Sequence, residues 1–486
     1  MGFFESQTWD GRIFSNGWRT GGGGAAEVVA PATGEAIGRY GVASPADLDA
    51  AVASASQAQQ AWSDLPFSAR AAMFRRAGQL VEEHASVLIS WLTREAGSGI
   101  GKAGFEAHLV ASEFYSAAAA VEQPYGQLLR SNKQRLSLSR RVPVGVVGVI
   151  SPFNFPGILS ARSLAPALAA GNGVILKPDP RTAVSGGLFL AAIIEAAGFP
   201  EGLVHVLPGG ADVGEALVEH DAVPVISFTG STAAGRSVGV AGARKLKRVH
   251  LELGGNNALI VLDDVDVEAA ASAGAWGSFL HQGQICMTTG RHIVHEAVYD
   301  EYVRLLSEKA RQIPVGDTGA SDVPLGPIID ERQRDKVHAL VEGSRAAGAT
   351  ITAGGSYDGL FYQPTVIADS KPDHPAFAEE VFGPVAPVIK FSTIEEAIAI
   401  ARQSEYGLSL GILTRDVMRG LEVASRVPSG IVHINDQTVD DESVAPFGGV
   451  GASGTGSRFG GAEANLEAFT ETQWVTVQGE IERYPF

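Results

Sequence analysis

The chain has 486 residues, more than a single hydrophobic core accommodates, so its length predicts two or three domains. A hydrophobic fraction of 45% excludes a disordered protein, and a formal net charge of −17 excludes nucleic acid or an anionic membrane surface as the main partner. The sequence contains no apolar run of membrane-spanning length, and its start lacks the order of a signal peptide. We therefore expect a cytoplasmic protein without a membrane partner.

The first part of the chain predicts short strands followed by helices. Residues 1 to about 45 alternate β-prone runs with turns such as Asn16-Gly17. Ser44 and Pro45 fit the N-cap and the first position of a helix. Alanine-rich helical sequence then continues to about Ala120.

Strict alternation of apolar and polar residues marks two separate strands. One covers residues 135–141 and the other covers residues 473–477. Neither strand belongs to a run of alternating strands and helices, so both are candidates for a separate small β element.

From residue 142 onward, buried-strand runs alternate with helical stretches. The runs cover residues 144–150, 173–177, 203–207 and 225–228. This alternation predicts a parallel sheet with helices on its faces, in which ligands bind at the carboxyl ends of the strands. A second α/β pattern covers residues from about 253 to 447.

Cys286 is the only cysteine, so no intramolecular disulfide can form. It is either a small buried hydrophobic residue or a thiolate nucleophile whose pKa is lowered or whose proton is taken by a nearby base. Gly283 allows a close backbone approach, and residues 288–290 predict a polar turn. This loop setting favours the nucleophile.

Glu252 lies between two leucines and precedes a glycine pair. A half-buried glutamate has a raised pKa and can act as a general base, whereas a glutamate on an edge strand would face solvent. The glycine pair predicts a sharp turn that presents the carboxylate to a cleft.

The motif Leu-Glu-Leu-Gly-Gly at 251–255, followed by Gly-Gln-Ile-Cys at 283–286, resembles the NAD(P)-dependent aldehyde dehydrogenase superfamily. The resemblance implies a Rossmann-like α/β cofactor domain, an α/β catalytic domain and a small β oligomerisation arm. It assigns residues 1–123 and 142–252 to the cofactor domain. It assigns 253–448 to the catalytic domain, and 124–141 with 449–486 to the arm and C-terminal segment. An exposed arm strand implies a homodimer or homotetramer.

Several motifs gain a cofactor role through this resemblance, although each also has a plain structural interpretation. Gly230 and Ser231 open a helix whose N-terminus suits a pyrophosphate, Lys177 resembles a lysine that contacts the adenosine ribose, and Glu380 resembles a glutamate that holds the nicotinamide ribose. The predicted cofactor-binding residues are Ser151, Pro152, Phe153, Lys177, Asp179, Gly210, Thr229, Gly230, Ser231, Leu253, Glu380 and Phe382.

Cofactor choice is predicted from the position where the family often has a ribose-binding glutamate. Here that position is Pro180, with Asp179 beside it. We expect NAD as the preferred cofactor and measurable activity with NADP, since Asp179 is the one group expected to resist the extra phosphate. The eleven histidines show no metal-ligand spacing, so no metal site is expected.

The predicted catalytic residues are Cys286, Glu252, Asn154 and Lys177. Asn154 is either a turn residue or the donor that stabilises the alkoxide formed when the thiolate attacks an aldehyde. The resemblance implies a thiohemiacetal, hydride transfer to the nicotinamide, a thioester, and hydrolysis by water that Glu252 activates.

The substrate is predicted from the apolar residues near the nucleophile. The candidates are Phe155, Leu159, Leu280, Ile285 and Met287. They favour an aromatic aldehyde, and residues 176–182 resemble bacterial benzaldehyde dehydrogenases. The alternatives are an aliphatic or semialdehyde dehydrogenase, the latter if Arg162 faces the substrate, and a non-catalytic binding protein on this scaffold.

Overall fold

A computed structural model describes residues 3–486, and its largest elements are two seven-stranded sheets. Five strands of the first sheet are parallel, and two short strands extend its edge in antiparallel orientation. In order across the sheet they are β11 (Arg248–Glu252), β10 (Val225–Thr229), β7 (Val146–Ile150), β8 (Gly173–Lys177), β9 (Val204–Val206), β1 (Arg12–Phe14) and β2 (Trp18–Thr20).

The predicted parallel sheet is confirmed, and the predicted strand 173–177 matches β8 at both ends. All five residues of β8 are buried because helices cover both faces of the sheet. The loops after β7, β8 and β10 therefore leave the sheet at one edge, where they form one wall of the candidate site.

The second α/β pattern is confirmed as a sheet built from residues 257–434. In order across it, the strands are β14 (Thr350–Ala353), β17 (Thr365–Ala368), β18 (Val385–Phe391), β13 (Thr289–His295), β12 (Asn257–Val261), β20 (Ser409–Leu413) and β21 (Ile431–Ile434). The Cys286 loop enters β13 in the middle of this sheet.

Helices pack around the sheets. In chain order they are α1 (Ser6–Trp9), α2 (Pro45–Asp64), α3 (Phe67–Glu83), α4 (Ala85–Glu95), α5 (Ile100–Val121), α6 (Pro156–Ala169), α7 (Phe189–Ala196), α8 (Ala211–Glu219), α9 (Thr232–Arg244), α10 (Val267–Phe279), α11 (Glu296–Gln312), α12 (Glu331–Ala346), α13 (Pro375–Ala378), α14 (Ile394–Ala401), α15 (Val417–Ala424) and α16 (Ala462–Phe469). The predicted N-cap of α2 is confirmed, because the Ser44 hydroxyl and the Asp47 side chain form a capping box.

The two alternating strands predicted from the sequence pair with each other. β23 (Thr470–Val477) runs antiparallel to β6 (Leu136–Pro143), and β5 (Gly126–Leu128) completes this small sheet. Three two-stranded antiparallel sheets pair β3 (Ala25–Val29) with β4 (Ala36–Gly41), β15 (Tyr357–Asp358) with β16 (Phe361–Tyr362), and β19 (Tyr406–Gly407) with β22 (Val450–Gly451). Within residues 3–486, no helix is long and apolar enough to cross a membrane.

Candidate active site

The loop before Cys286 is held in an uncommon backbone conformation. His281, Gln282 and Gly283 all have positive φ angles of 49°, 55° and 64°. A Cβ atom at Gly283 would lie 2.0 Å from the carbonyl oxygen of Gly383, so the predicted close backbone approach is confirmed. Two consecutive left-handed residues other than glycine are strained, and such strain is typical of functional loops.

The segment after Cys286 differs from the predicted polar turn. Thr289 begins β13, and the Thr289 hydroxyl lies 2.7 Å from the Thr438 hydroxyl. The Thr288 hydroxyl donates to the carbonyl of Gly283 at 3.0 Å. The turn prediction is wrong because Thr289 and Gly290 already belong to strand β13, and partners in the preceding loop and at Thr438 satisfy the two hydroxyl groups.

Two cavities meet at the thiol. One is a cleft of about 380 Å³ and the other is a pocket of about 450 Å³. Asn154, Leu159 and Cys286 line both of them. A small molecule in the pocket and a larger one in the cleft could therefore both reach Cys286.

The cleft collects eleven of the twelve predicted cofactor residues from separate loops. They are Ser151, Pro152, Phe153, Lys177, Asp179, Thr229, Gly230, Ser231, Leu253, Glu380 and Phe382. Among the residues that the structure describes, Gly210 is the exception, because it lies exposed at the start of α8 and outside the cleft lining. The cofactor role of Gly210, which precedes the first residue of α8, therefore stays a prediction.

The start of α9 forms one side of the cleft. The Ser231 hydroxyl accepts a hydrogen bond from the Ala234 amide at 3.3 Å, which makes Ser231 the N-cap. The Gly230 amide donates to the carbonyl of Glu252 at 3.0 Å. The Gly230 amide is therefore already bonded to β11 and is not free to bind an anion. An anion in the cleft would instead meet the N-terminus of α9.

Asp179 does not stand alone in the cleft, as the sequence had suggested. Arg181 donates to both carboxylate oxygens of Asp179, from Nε at 2.9 Å and from Nη2 at 2.8 Å. Its Nη1 also donates to Asp330 at 2.7 Å, and its guanidinium carbon lies 4.2 Å from the Phe153 ring centroid. Asp179 is thus neutralised by a cation two residues later, which the sequence interpretation missed.

Glu380 fits into a cradle formed by the glycine pair after β11. The Gly255 amide donates to Glu380 Oε1 at 2.9 Å, and a Cβ atom at Gly254 would lie 2.4 Å from Oε2. Burial raises the pKa of Glu380, and the amide of Gly255 and the charge of Lys336 oppose this effect. The glycine pair was predicted to form a sharp turn that presents Glu252 to a cleft. Instead, neither glycine has a positive φ angle, and Gly254 makes room for the side chain of Glu380.

The pocket on the other side of Cys286 is mostly apolar. All five predicted pocket residues line it, namely Phe155, Leu159, Leu280, Ile285 and Met287. Further apolar walls that the sequence did not indicate come from Phe105, Leu109, Ile158, Trp276, Val439 and Phe447. These residues are spread over five parts of the chain, which is why only those near the motifs were found.

Arg162 lines this pocket, but its charge is already matched. Its Nη2 lies 2.7 Å from Asp441 and its Nε lies 3.3 Å from Glu113, and only 3% of its side chain is exposed. Burial raises the pKa of Glu113 to about 7, against the charge of Arg162. The guanidinium is therefore flanked by two carboxyl groups and offers little net attraction to an anionic substrate.

Glu252 is buried, with 4% exposure, rather than half-buried. Among residues 3–486 its two carboxylate oxygens have no hydrogen-bond partner, and it lines neither cavity. A Cβ atom at Gly448 would lie 2.9 Å from Glu252 Oε1 and 2.9 Å from Arg458 Nη1. Burial raises the pKa of Glu252 well above its ordinary value, and the charges of Arg458 and Arg162 oppose this shift.

The Cys286 thiol is not activated by a neighbouring cation. Burial raises its pKa to about 12, and Glu380, Glu252 and Asp441 add to the effect through their negative charge. Of the two routes to a thiolate that the sequence left open, a lowered pKa is not met in the cofactor-free protein. The thiol must therefore lose its proton before its sulfur can attack a carbonyl carbon.

Asn154 and Lys177, the remaining predicted catalytic residues, are both buried beside the cleft. Burial lowers the pKa of Lys177, while Asp179 and Asp212 oppose that shift. Across residues 3–486, no cluster of His, Cys, Asp and Glu is arranged to hold a metal ion.

Comparison with known proteins confirms the resemblance to aldehyde dehydrogenases that the sequence motifs indicated. The sequence model of the aldehyde dehydrogenase family matches residues 18–475. Vanillin dehydrogenase from Amycolatopsis sp. is 61% identical over 100% of both chains, and benzaldehyde dehydrogenase [NAD(+)] from Pseudomonas putida is 50% identical over 99% of both. The solved betaine aldehyde dehydrogenase from Staphylococcus aureus in complex with NAD+ superposes with a TM-score of 0.95 at 28% identity, covering 99% of this chain and 97% of that one.

Proposed function

Because the chain belongs to the aldehyde dehydrogenase family, we propose that it oxidises an aromatic aldehyde to the carboxylic acid, with NAD as the preferred cofactor. The observation that carries this proposal is the apolar pocket of about 450 Å³ that ends at Cys286. Four aromatic side chains line it, and they suit a ring rather than a flexible polar chain: Phe105, Phe155, Trp276 and Phe447. The full-length relatives named for vanillin and benzaldehyde support the same substrate class.

The charge pattern around Arg162 argues against the semialdehyde alternative. An acid-semialdehyde would place its carboxylate beside Arg162, but Glu113 and Asp441 already pair with this guanidinium. A third carboxylate would be repelled by the two that are present, at an expected penalty of about 1 kcal/mol or more. A neutral aromatic aldehyde does not meet this penalty.

The residues around Cys286 support the following chemistry. The Cys286 thiol gives up its proton to water in the site, and the sulfur then bonds to the aldehyde carbon to form a thiohemiacetal. Asn154 donates a hydrogen bond to the resulting alkoxide. Bound NAD supplies the hydride acceptor. After oxidation to the thioester, Glu252 removes a proton from water, whose oxygen displaces the sulfur and releases the acid.

The donor set of the cleft fits a dinucleotide. The N-terminus of α9 suits a pyrophosphate, and the ammonium of Lys177 and the carboxylate of Glu380 suit ribose hydroxyl groups. Gly254 leaves the space in which Glu380 is held. The relative named with NAD(+) and the solved relative in complex with NAD+ support this cofactor.

We further propose that the protein assembles into a homodimer or homotetramer in the cytoplasm. The small sheet of β5, β6 and β23 supports this, because Leu128 is 77% exposed and Trp474 on the edge strand is 64% exposed. An unpaired Cys286 suits a reducing compartment. We also propose the predicted division into a cofactor domain, a catalytic domain and an arm. The first seven-stranded sheet, the second seven-stranded sheet and the three-stranded sheet support these three parts in that order.

The test is an aldehyde panel assayed by NAD(P)H absorbance. It contains benzaldehyde, vanillin, hexanal and succinic semialdehyde, each with NAD and with NADP. We expect kcat/KM for the two ring aldehydes to exceed that for succinic semialdehyde by at least about tenfold, which corresponds to about 1.4 kcal/mol. Preference for the semialdehyde would reject the aromatic substrate, and no turnover of any aldehyde would favour the non-catalytic alternative.

A further inference from the structure

A buried ion pair on α5 lies directly behind the active-site turn. Lys102 Nζ lies 2.5 Å from Glu106 Oε2, and the two side chains are only 2% and 0% exposed. They are four residues apart, so both point from the same face of the helix. Burying two charges is costly, and an apolar pair of similar size would fill the space without that cost. What the ion pair adds is directional hydrogen bonding.

These hydrogen bonds tie the end of the turn that carries Asn154, and the helix start that follows it, to α5. Lys102 Nζ donates to the Asn154 carbonyl oxygen at 2.8 Å. Glu106 Oε1 accepts from the amides of Gly157 at 2.8 Å and Ile158 at 3.3 Å, in the first turn of α6. The turn of residues 151–155 between β7 and α6 is thus attached to one helix, α5, near its end at Asn154 and again in the first turn of α6.

Lys102 has no capacity left for a direct contact with substrate, although it lines the pocket. An ammonium group has three donors. Within residues 3–486 they go to Ser98 Oγ at 3.1 Å, to Glu106 and to Asn154. The side chain therefore acts through the groups that it holds.

The same ammonium also stabilises the pocket wall. Lys102 Nζ lies 4.0 Å from the centroid of the Phe155 ring, a cation–π contact. The His281 ring packs edge-on against Phe155 at 5.6 Å. Asn154 and Phe155 are neighbours in the turn, so one charged group orients an oxyanion donor and an aromatic wall together.

We propose that Lys102, supported by Glu106, is a positioning residue that fixes the Asn154 side chain where the alkoxide forms. This inference rests on the proposed aldehyde oxidation and deepens it by naming what keeps the oxyanion site organised. A donor displaced by a fraction of a hydrogen-bond length loses much of its effect, and such displacements reduce rates by about 100-fold.

A double-mutant cycle tests this inference. Lys102→Met is combined with Glu106→Gln so that no unpaired buried carboxylate remains, and the pair is introduced with Asn154 or with Asn154→Ala. The rate of the first NADH turnover with benzaldehyde measures acylation. We expect about a 10- to 100-fold loss when Asn154 is present, because the oxyanion donor is misplaced, and less than about a twofold loss in the Asn154→Ala background.

The controls separate positioning from general damage. Arg304→Met, which removes an exposed i, i+4 ion pair on α11, should leave the acylation rate unchanged. Binding of NAD and alkylation of Cys286 by iodoacetamide should also stay within about twofold in the Lys102 variants, because neither uses the Asn154 amide.

Two outcomes would overturn the inference. Equal losses in both Asn154 backgrounds would show that Lys102 acts independently of Asn154, and an unchanged acylation rate would show that it does not act at all. Wild-type turnover of benzaldehyde separates these failures from a failure of the proposed function, since an inactive wild type would reject both.

Discussion

The raised thiol pKa makes a quantitative prediction for the cofactor-free protein. The pKa of Cys286 is about 12 against an ordinary value of 9.0, because the protein around this half-buried side chain disfavours the thiolate and the negative charges of Glu380, Glu252 and Asp441 add to that effect. Three pKa units correspond to about 4 kcal/mol of disfavoured ionisation. At pH 8 only about one thiol in 10⁴ is therefore ionised. The resting nucleophile should be far less reactive than a free cysteine.

Iodoacetamide alkylation measures this thiolate fraction directly, because Cys286 is the only cysteine. We expect the rate to rise roughly tenfold per pH unit between pH 7 and pH 10 without reaching a plateau. Free N-acetylcysteine serves as the reference. Asp441→Asn should raise the rate only modestly, since burial is the largest cause of the shift. A plateau at or below about pH 8.5 would contradict the reasoning.

Three further predictions follow from the site and the arm. Glu252→Gln should retain a burst of NADH but show slow steady-state turnover, because thioester hydrolysis loses its base; loss of the burst would place Glu252 in acylation as well. Asp179→Ala should raise, and Arg181→Ala should lower, the relative kcat/KM for NADP, each by several-fold or about 1 kcal/mol, because the two charges act oppositely on the extra phosphate; an unchanged ratio in both would remove the pair from cofactor selection. Trp474→Glu should shift the protein to a smaller species in size-exclusion chromatography with light scattering, because it places a charge on an exposed apolar edge strand; an unchanged mass would exclude β23 from the interface.

Local patterns were sufficient to predict most of the framework. Residues 173–177 form a continuous apolar run that ends in Lys177, and β8 covers this segment because both faces of the sheet are buried. The runs at 135–141 and 473–477 alternate apolar and polar residues, because side chains on a strand point to opposite faces in turn. The two segments pair in antiparallel orientation as β6 and β23.

What the sequence could not show were partners distant along the chain. Arg162 was recognised as a candidate substrate partner, but Glu113 and Asp441, which cancel its charge, come from α5 and from a loop after β21. Lys102 lies on a helix with no catalytic motif, 52 residues before Asn154. The pairing of Arg181 with Asp179 was visible two residues apart, yet its geometry depends on the short helical turn between them.

The most direct test of the central claim is the covalent state of Cys286 during turnover. Glu252→Gln is mixed with benzaldehyde and NAD, quenched in acid during the burst, digested and analysed by mass spectrometry. We expect a benzoyl group on the peptide that contains Cys286, in an amount equal to the NADH burst, and no such adduct in Cys286→Ala. NADH formation without an acylated Cys286, or with the acyl group on another residue, would contradict it.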